Sequence, residues 1–194
     1  MKYLSLSMCG FLRLFVSFLS IQKRFNIQLI LMLLLCSPVL FAQGVRLDFD
    51  GDDRDDVSVF RPVDGVWHIL YSGQGYSGGE WDLVNDKPVP ADYDGDGLTD
   101  IPTFRKGKWR IWNSASNTEI MRSFGEPGDI PLPARFDDDN RADIAVFRPS
   151  SGEWFWLRSS DGTYTVLKFG IKGDVPTASD HDGDGKADLN MFRP

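Results

Sequence analysis

The sequence predicts an all-β protein made of β-propeller-type blades, each a sheet of four antiparallel strands, about 3.5 of them behind an N-terminal signal segment. Three observations predict it. A nine-residue aspartate-rich segment occurs four times at near-constant spacing, a short β-branched and aromatic segment ending in Phe-Arg follows each occurrence, and a tryptophan stands in register after the first three. Four short strands in a unit of about 40 to 50 residues are the signature of a propeller blade.

The four copies begin Asp48-Phe-Asp-Gly-Asp-Asp-Arg-Asp-Asp56, Asp92-Tyr-Asp-Gly-Asp-Gly-Leu-Thr-Asp100, Arg135-Phe-Asp-Asp-Asp-Asn-Arg-Ala-Asp143 and Asp180-His-Asp-Gly-Asp-Gly-Lys-Ala-Asp188. Phe60, Phe104, Phe147 and Phe192 set the offsets at 44, 43 and 45 residues. Trp67, Trp109 and Trp154 keep that register, as do Ser72, Ser114 and Ser159, and so do Asp86, Asp129 and Asp174, which stand five residues after Trp81, Phe124 and Phe169. The units run over about 45–86, 87–129, 130–173 and a partial 174–194, within a domain spanning 43–194. They leave no room for a separate catalytic domain.

Inside a unit, Ile144-Ala-Val-Phe-Arg, Trp154-Phe-Trp-Leu-Arg and Tyr164-Thr-Val-Leu-Lys-Phe read as strands, separated by Pro-Ser-Ser-Gly and Ser-Ser-Asp-Gly turns. The Pro-Leu-Pro-Ala-Arg-Phe stretch before the aspartate loop supplies a fourth. Gly, Pro and period-2 runs interrupt every helical window. On the strand after each loop, Ser58, Pro102, Ala145 and Asn190 share a face with the Phe two places on, a small residue beside a large one, which suits close sheet packing.

Residues 1–42 are a different material, with no acid, four bases, both cysteines (Cys9 and Cys36) and 28 apolar residues. Lys23-Arg24, the apolar run from Ile27 to Leu35, Ser37-Pro38 and Leu-Phe-Ala42 follow the order of a secretory signal. The expectation is export, with a membrane association only if this leader stays attached. The other 152 residues hold 28 acids against 17 bases and no cysteine, which excludes disulfides and thiol chemistry there and argues against a nucleic-acid surface. Of those acids 24 are Asp. Asp favours loops, caps and metal sites where Glu favours helices.

The aspartate loops carry the chemistry. Carboxylates stand at positions 1, 3, 5 and 9, and position 6 holds Asp53, Gly97, Asn140 or Gly185, residues that tolerate a positive φ. Alternating ligand and non-ligand residues wrap oxygens around one point, as a hard cation such as Ca2+ requires, and the carbonyl of position 7 (Arg54, Leu98, Lys186) is expected to add another oxygen. Without a cation, so many carboxylates repel one another. An EF-hand fails twice, because its twelfth position holds Val59, Thr103 or Met191 rather than Glu, and because a strand follows. In the third loop Arg135 replaces the first carboxylate, so the remaining Asp137, Asp139, the Arg141 carbonyl and Asp143 are expected to bind metal weakly or not at all, with Arg135 supplying part of the missing charge.

The Asp-x-Asp-x-Asp-Gly-x-x-Asp loop, the strand ending Val-Phe-Arg-Pro and the following Gly-x-Trp resemble the FG-GAP/VCBS repeats of exported bacterial proteins, which are similar to the calcium-bearing blades of the integrin α-subunit. The resemblance covers Leu47 to Pro194. It implies calcium on the loop joining the first and second strands of a blade. The side-chain ligands it implies are Asp48, Asp50, Asp52 and Asp56, then Asp92, Asp94, Asp96 and Asp100, then Asp180, Asp182, Asp184 and Asp188. It also implies a non-enzymatic role in adhesion, recognition or scaffolding, towards a protein or glycan at the cell exterior.

A carbohydrate-binding propeller is the alternative, with Tyr71, Tyr76 and Trp112 as stacking candidates. A polysaccharide-active enzyme is disfavoured, since it needs two facing carboxylates and Glu80, Glu119, Glu126 and Glu153 form no recurring pair. His68 and His181 have no nucleophile or orienting acid at a motif spacing. Because 3.5 blades fall short of the usual four to eight, the chain is expected to be a piece of a longer propeller, an open arc, or a subunit that closes by self-association.

Overall fold

A computed structural model describes residues 47–80 and 85–194; the expected leader and Trp81 lie outside them. The described residues are all-β, with no helix. Strands β1 (Val57–Arg61), β2 (Val66–Tyr71) and β3 (Gly75–Glu80) form a three-stranded sheet. A four-stranded sheet follows, of β4 (Lys87–Pro88), β5 (Ile101–Arg105), β6 (Lys108–Asn113) and β7 (Thr118–Ser123), and then another, of β8 (Ile130–Pro131), β9 (Ile144–Arg148), β10 (Glu153–Leu157) and β11 (Tyr164–Lys168). Strands β12 (Val175–Ser179) and β13 (Asp188–Phe192) pair with each other. Every pairing is antiparallel between strands adjacent in sequence.

Local chemistry sets the turns. Between β5 and β6 the two-residue turn Lys106-Gly107 has φ of 49° and 81°, the left-handed pair that matches strand twist. Each aspartate loop of the second, third and fourth sheets joins the sheet's first strand to its second. In the second and third sheets the loop is flanked by single bridges, Ala91 with Asp100 and Ala134 with Asp143.

Burial alternates along β2 and β6, whereas β9 is buried on both faces. Phe104 and Trp109 of the second sheet, with Val89 and Ile111, form one cluster with Ile144 and Val146 of the third, and Tyr93, Phe124, Phe155 and Leu157 pack around it. Trp109 and Trp154 are fully buried, and their indole N–H groups donate to the carbonyls of Phe124 (2.9 Å) and Phe169 (2.8 Å). Each ring therefore buries on the order of 150–250 Å2, worth roughly 4–6 kcal/mol gross at 25 cal/mol per Å2, without orphaning a donor. Phe60–Trp67, Phe104–Trp109 and Phe147–Trp154 meet as tilted pairs with centroids 5.5, 5.1 and 5.5 Å apart. The third sheet abuts the second where Gly125 (φ 98°) passes Val146; a Cβ there would lie 3.1 Å from Val146 Cγ1.

Three of the four Phe-Arg pairs place their arginine on an aspartate that keeps register in the sequence. Arg105, Arg148 and Arg193 form ion pairs with buried Asp86, Asp129 and Asp174. Arg148 engages Asp129 with two bonds of 3.1 and 3.0 Å, and Asp129 also accepts the Glu126 amide at 2.9 Å. These latches tie the start of a sheet's first strand to the end of its second. Arg61, in the first sheet, pairs instead with nearby exposed Asp64. Replacing Arg148 with Ala leaves Asp129 buried and unpaired, so urea unfolding is expected to show a loss of about 3 kcal/mol, against less than about 1 kcal/mol for Arg61→Ala.

Candidate metal centres

The first, second and fourth loops are each built around their first aspartate. Asp48 accepts the amides of Gly51 (2.7 Å) and Asp53 (2.9 Å), Asp92 those of Gly95 (2.6 Å) and Gly97 (2.9 Å), and Asp180 those of Gly183 (2.7 Å) and Gly185 (2.9 Å). Bending the backbone around one carboxylate requires left-handed residues at positions 4 and 6. Gly51, Gly95 and Gly183 have φ of 80°, 86° and 83°, and Asp53, Gly97 and Gly185 have 65°, 89° and 89°. Position 6 was legible from residue type. The equal demand at position 4 is met by a glycine in the same three loops.

The third and fifth residues tighten the ring. Asp50, Asp94 and Asp182 accept the amides of Asp52, Asp96 and Asp184; these accept those of Arg54, Leu98 and Lys186 in turn. The ninth aspartate joins loop to sheet. Asp56 accepts the amides of Phe49 and Ser72, Asp100 those of Tyr93 and Ser114, and Asp143 those of Phe136 and Ser159, all at 2.6–2.8 Å. The serines that recur in register thus close the loop from the turn after the sheet's second full-length strand. Their hydroxyls add bonds to the fifth aspartate, from Ser72 to Asp52 and from Ser114 to Asp96.

Three loops bring carboxylates together. Ligand oxygens from Asp48, Asp50 and Asp56, from Asp92, Asp94 and Asp96, and from Asp180, Asp182 and Asp188 lie within 4.8 Å of one another in each group. The remaining expected side-chain ligands are placed otherwise. Asp52 leans on Ser72, Asp100 is buried between Tyr93 and Ser114, and Asp184 holds the Lys186 amide. Of the position-7 residues, Arg54 is exposed, Leu98 packs over Gly51 and Lys186 reaches Asp138.

The donor set fits a hard cation. It is all carboxylate oxygen, without thiol or imidazole, and in the first loop Asp50 Oδ2 is buried with no hydrogen-bond donor. Burial, with Asp52 and Asp56 beside it, pushes the Asp50 carboxyl above the usual range. Burial likewise raises Asp94, with Asp96 and Asp92 adding to it, and raises Asp100 to about 6 although the Ser114 and Tyr93 amides oppose the shift.

The third loop is organised differently. Arg135 cannot accept amides, and neither Asp138 nor Asn140 adopts a positive φ, so the left-handed sixth position expected from Asn does not form. Arg135 donates to the Asp139 carbonyl (3.2 Å) and Asn140 Oδ1 (3.1 Å) rather than to a carboxylate. The cations that pair with carboxylates of this loop are Arg141, bound to Asp139 at 2.9 Å, and Lys186 of the fourth loop, bound to Asp138 at 2.8 Å. Burial pushes the Asp139 carboxyl up, but the Arg141 amide, Ser159 and the Arg141 guanidinium outweigh it and hold it low. Asp137, Asp139 and Asp143 form no triple of the kind seen in the other loops among the described residues.

The loops also bond to one another. The amide of the eighth residue donates to the carbonyl of the first residue in the preceding loop: Thr99 to Asp48 (2.7 Å), Ala142 to Asp92 (2.6 Å) and Ala187 to Arg135 (2.6 Å). The seventh residue lies over the preceding loop's fourth position. Leu98 covers Gly51, Arg141 covers Gly95, and Lys186 meets Asp138 at 2.8 Å. Ala91, Thr99, Ala134, Ala142 and Ala187 line a cavity of about 320 Å3 between the loops.

The aromatic candidates divide. Tyr76 is exposed, stacked on His68 and bonded to it at 2.7 Å, whereas Tyr71 is half-buried and Trp112 donates to Asn117. His181 contacts Ser179 and forms no part of the fourth loop's carboxylate triple. Comparison with protein-family models, curated proteins and solved structures returns no match.

Two outcomes follow from this geometry. Changing Arg135 to Asp together with Asp138→Gly and Asn140→Gly restores the acceptor and both left-handed positions, so calorimetric titration should find one more calcium site than in the parent. Asp100 titrates near 6 in the folded chain against 3.8 for an ordinary Asp, so the native state binds the extra proton. Without calcium, stability falls as pH rises between those values. Thermal melts in chelator should therefore rise from about pH 7 to about pH 5.

Proposed function

We propose that the chain is an exported, non-enzymatic, calcium-binding protein whose sheets are successive blades of a β-propeller, acting in adhesion, recognition or scaffolding. The carboxylate triples carry the reading, above all the one at Asp48, Asp50 and Asp56 with its donor-free buried oxygen. Calcium would be held by these side chains and would supply the positive charge that lets them sit together. The antiparallel meanders and the repeated Phe–Trp pairs support the blade assignment. The resemblance to FG-GAP/VCBS repeats supports the exterior role, where calcium at millimolar concentration matches sites of about 10⁻⁴ to 10⁻³ M affinity.

The ion's role is structural. Binding the native state alone stabilises it by linkage, and a site at tenfold its Kd contributes about 1.4 kcal/mol. Excess chelator is expected to lower the melting temperature clearly, and titration of the chelated protein should give three sites. An unchanged melt in chelator would overturn the structural role, and four equal sites would overturn the exclusion of the third loop.

A further inference from the structure

One end of the second sheet carries a cluster of bases that the repeat does not require. Register places them in two consecutive rows. Lys87, Phe104, Trp109 and Arg122 stand side by side across β4, β5, β6 and β7, and Arg105, Lys108 and Ser123 form the next row, closed by Lys106 in the β5–β6 turn. In the third sheet the positions of Lys87, Lys106, Lys108 and Arg122 hold Ile130, Pro149, Glu153 and Leu167. In the first, those of Lys106, Lys108 and Arg122 hold Pro62, Val66 and Gly79. Only the arginine of the Phe-Arg pair is common to all three.

The four added bases are exposed, and none has a carboxylate partner among the described residues. Lys108 donates to Ser123 Oγ (2.7 Å) and Arg122 to the Met121 carbonyl (3.3 Å). The acids around them are taken, Asp86 by Arg105, Glu119 by Arg110 and Glu126 by Arg148. Residues 101–123 thus hold five bases against one acid, whereas the rest of 43–194 holds 12 bases against 27 acids. The two kinds of charge also stand apart along the strand. The aspartate loop enters β5 at Ile101 and the bases begin where it ends, at Arg105. The extended backbone from Asp100 to Arg105 spans roughly 17 Å, twice the Debye length of about 8 Å at physiological salt.

We propose that this end of the second sheet docks an acidic polysaccharide, whose sulfates or carboxylates lie along the row from Lys87 to Arg122 with Lys106 and Lys108 beside it. Charge complementarity carries the inference, because a basic patch in an acidic domain concentrates anions locally. The row crosses four strands, about 14 Å, which one extended chain can follow. A flat anionic surface laid over the same sheet ends would also meet Asp64 and Glu153, at the corresponding turns of the first and third sheets, and Glu126 beyond β7. A narrow chain avoids them. The inference rests on the recognition role proposed above, names the class of ligand, and does not require calcium.

The test is binding of the full chain to immobilised dextran sulfate and hyaluronate, which tell sulfate from carboxylate, with neutral dextran, phosphatidylserine vesicles and duplex DNA as comparisons, at about 0.05 and 0.2 M NaCl. The parent is expected to bind at least one of the two acidic polysaccharides, more weakly at the higher salt, and to bind vesicles and DNA less tightly. Combining Lys87→Gln, Lys106→Gln, Lys108→Gln and Arg122→Gln should weaken that binding by about tenfold or more and flatten its salt dependence. Combining Lys168→Gln with Lys172→Gln, two exposed lysines of the third unit, should leave it unchanged. The four substituted side chains hold no buried acid, so the variant should keep the parent's melt in calcium; the same melt in chelator tests the calcium reading separately. A parent that binds neither polysaccharide, a fourfold variant that binds as the parent does, or an equal loss from the Lys168→Gln and Lys172→Gln pair would overturn the proposal. Vesicles or DNA bound as tightly as the polysaccharide would overturn it in favour of a membrane or a nucleic acid.

Discussion

Three backbone hydrogen bonds, from Thr99, Ala142 and Ala187 to the carbonyls of Asp48, Asp92 and Arg135, hold successive aspartate loops in register. Donor and acceptor both sit on loops whose shape depends on enclosed carboxylates. The acceptor carbonyls of Asp48 and Asp92 belong to residues whose side chains bend the loop around themselves, and the donor residues immediately precede the aspartates that anchor loop to sheet. Loop charge, loop shape and the spacing between sheets are therefore one problem. A cation that relieves repulsion inside a loop also fixes the atoms through which that loop positions its neighbour.

The third loop shows how the same register is met with different chemistry. Arg135 keeps its carbonyl in the ladder while its guanidinium binds the Asp139 carbonyl and Asn140. Arg141 pairs with Asp139 and also donates to the Ser159 carbonyl at 2.6 Å. The chain's own cations thus occupy the place between two loops that we propose hold calcium, so the ladder crosses the third position without an ion.

Much of this was legible in the sequence because it is local and periodic. Phe60, Phe104 and Phe147 with Trp67, Trp109 and Trp154 announced the paired strands, and Ala145 two places before Phe147 marked a small-beside-large packing face. What stayed hidden is relational. Asp86, Asp129 and Asp174 keep register in the sequence, but only the fold brings Arg105, Arg148 and Arg193 to them across 19 residues. Ser72, Ser114 and Ser159 kept register, yet nothing in their type says that their amides close a loop 14 to 16 residues upstream. Asn140 suggested a left-handed turn; the missing acceptor at Arg135 removed the reason for one.

The most direct measurement of the central claim is amide hydrogen exchange resolved at Thr99, Ala142 and Ala187, with calcium and after chelation. If loop charge governs the register of the sheets, chelation will speed exchange at these three amides by at least tenfold while the β9–β10 amides, such as Val146 and Phe155, stay protected. Unchanged protection at all three after chelation would contradict the account, because the ladder would then stand without the cation.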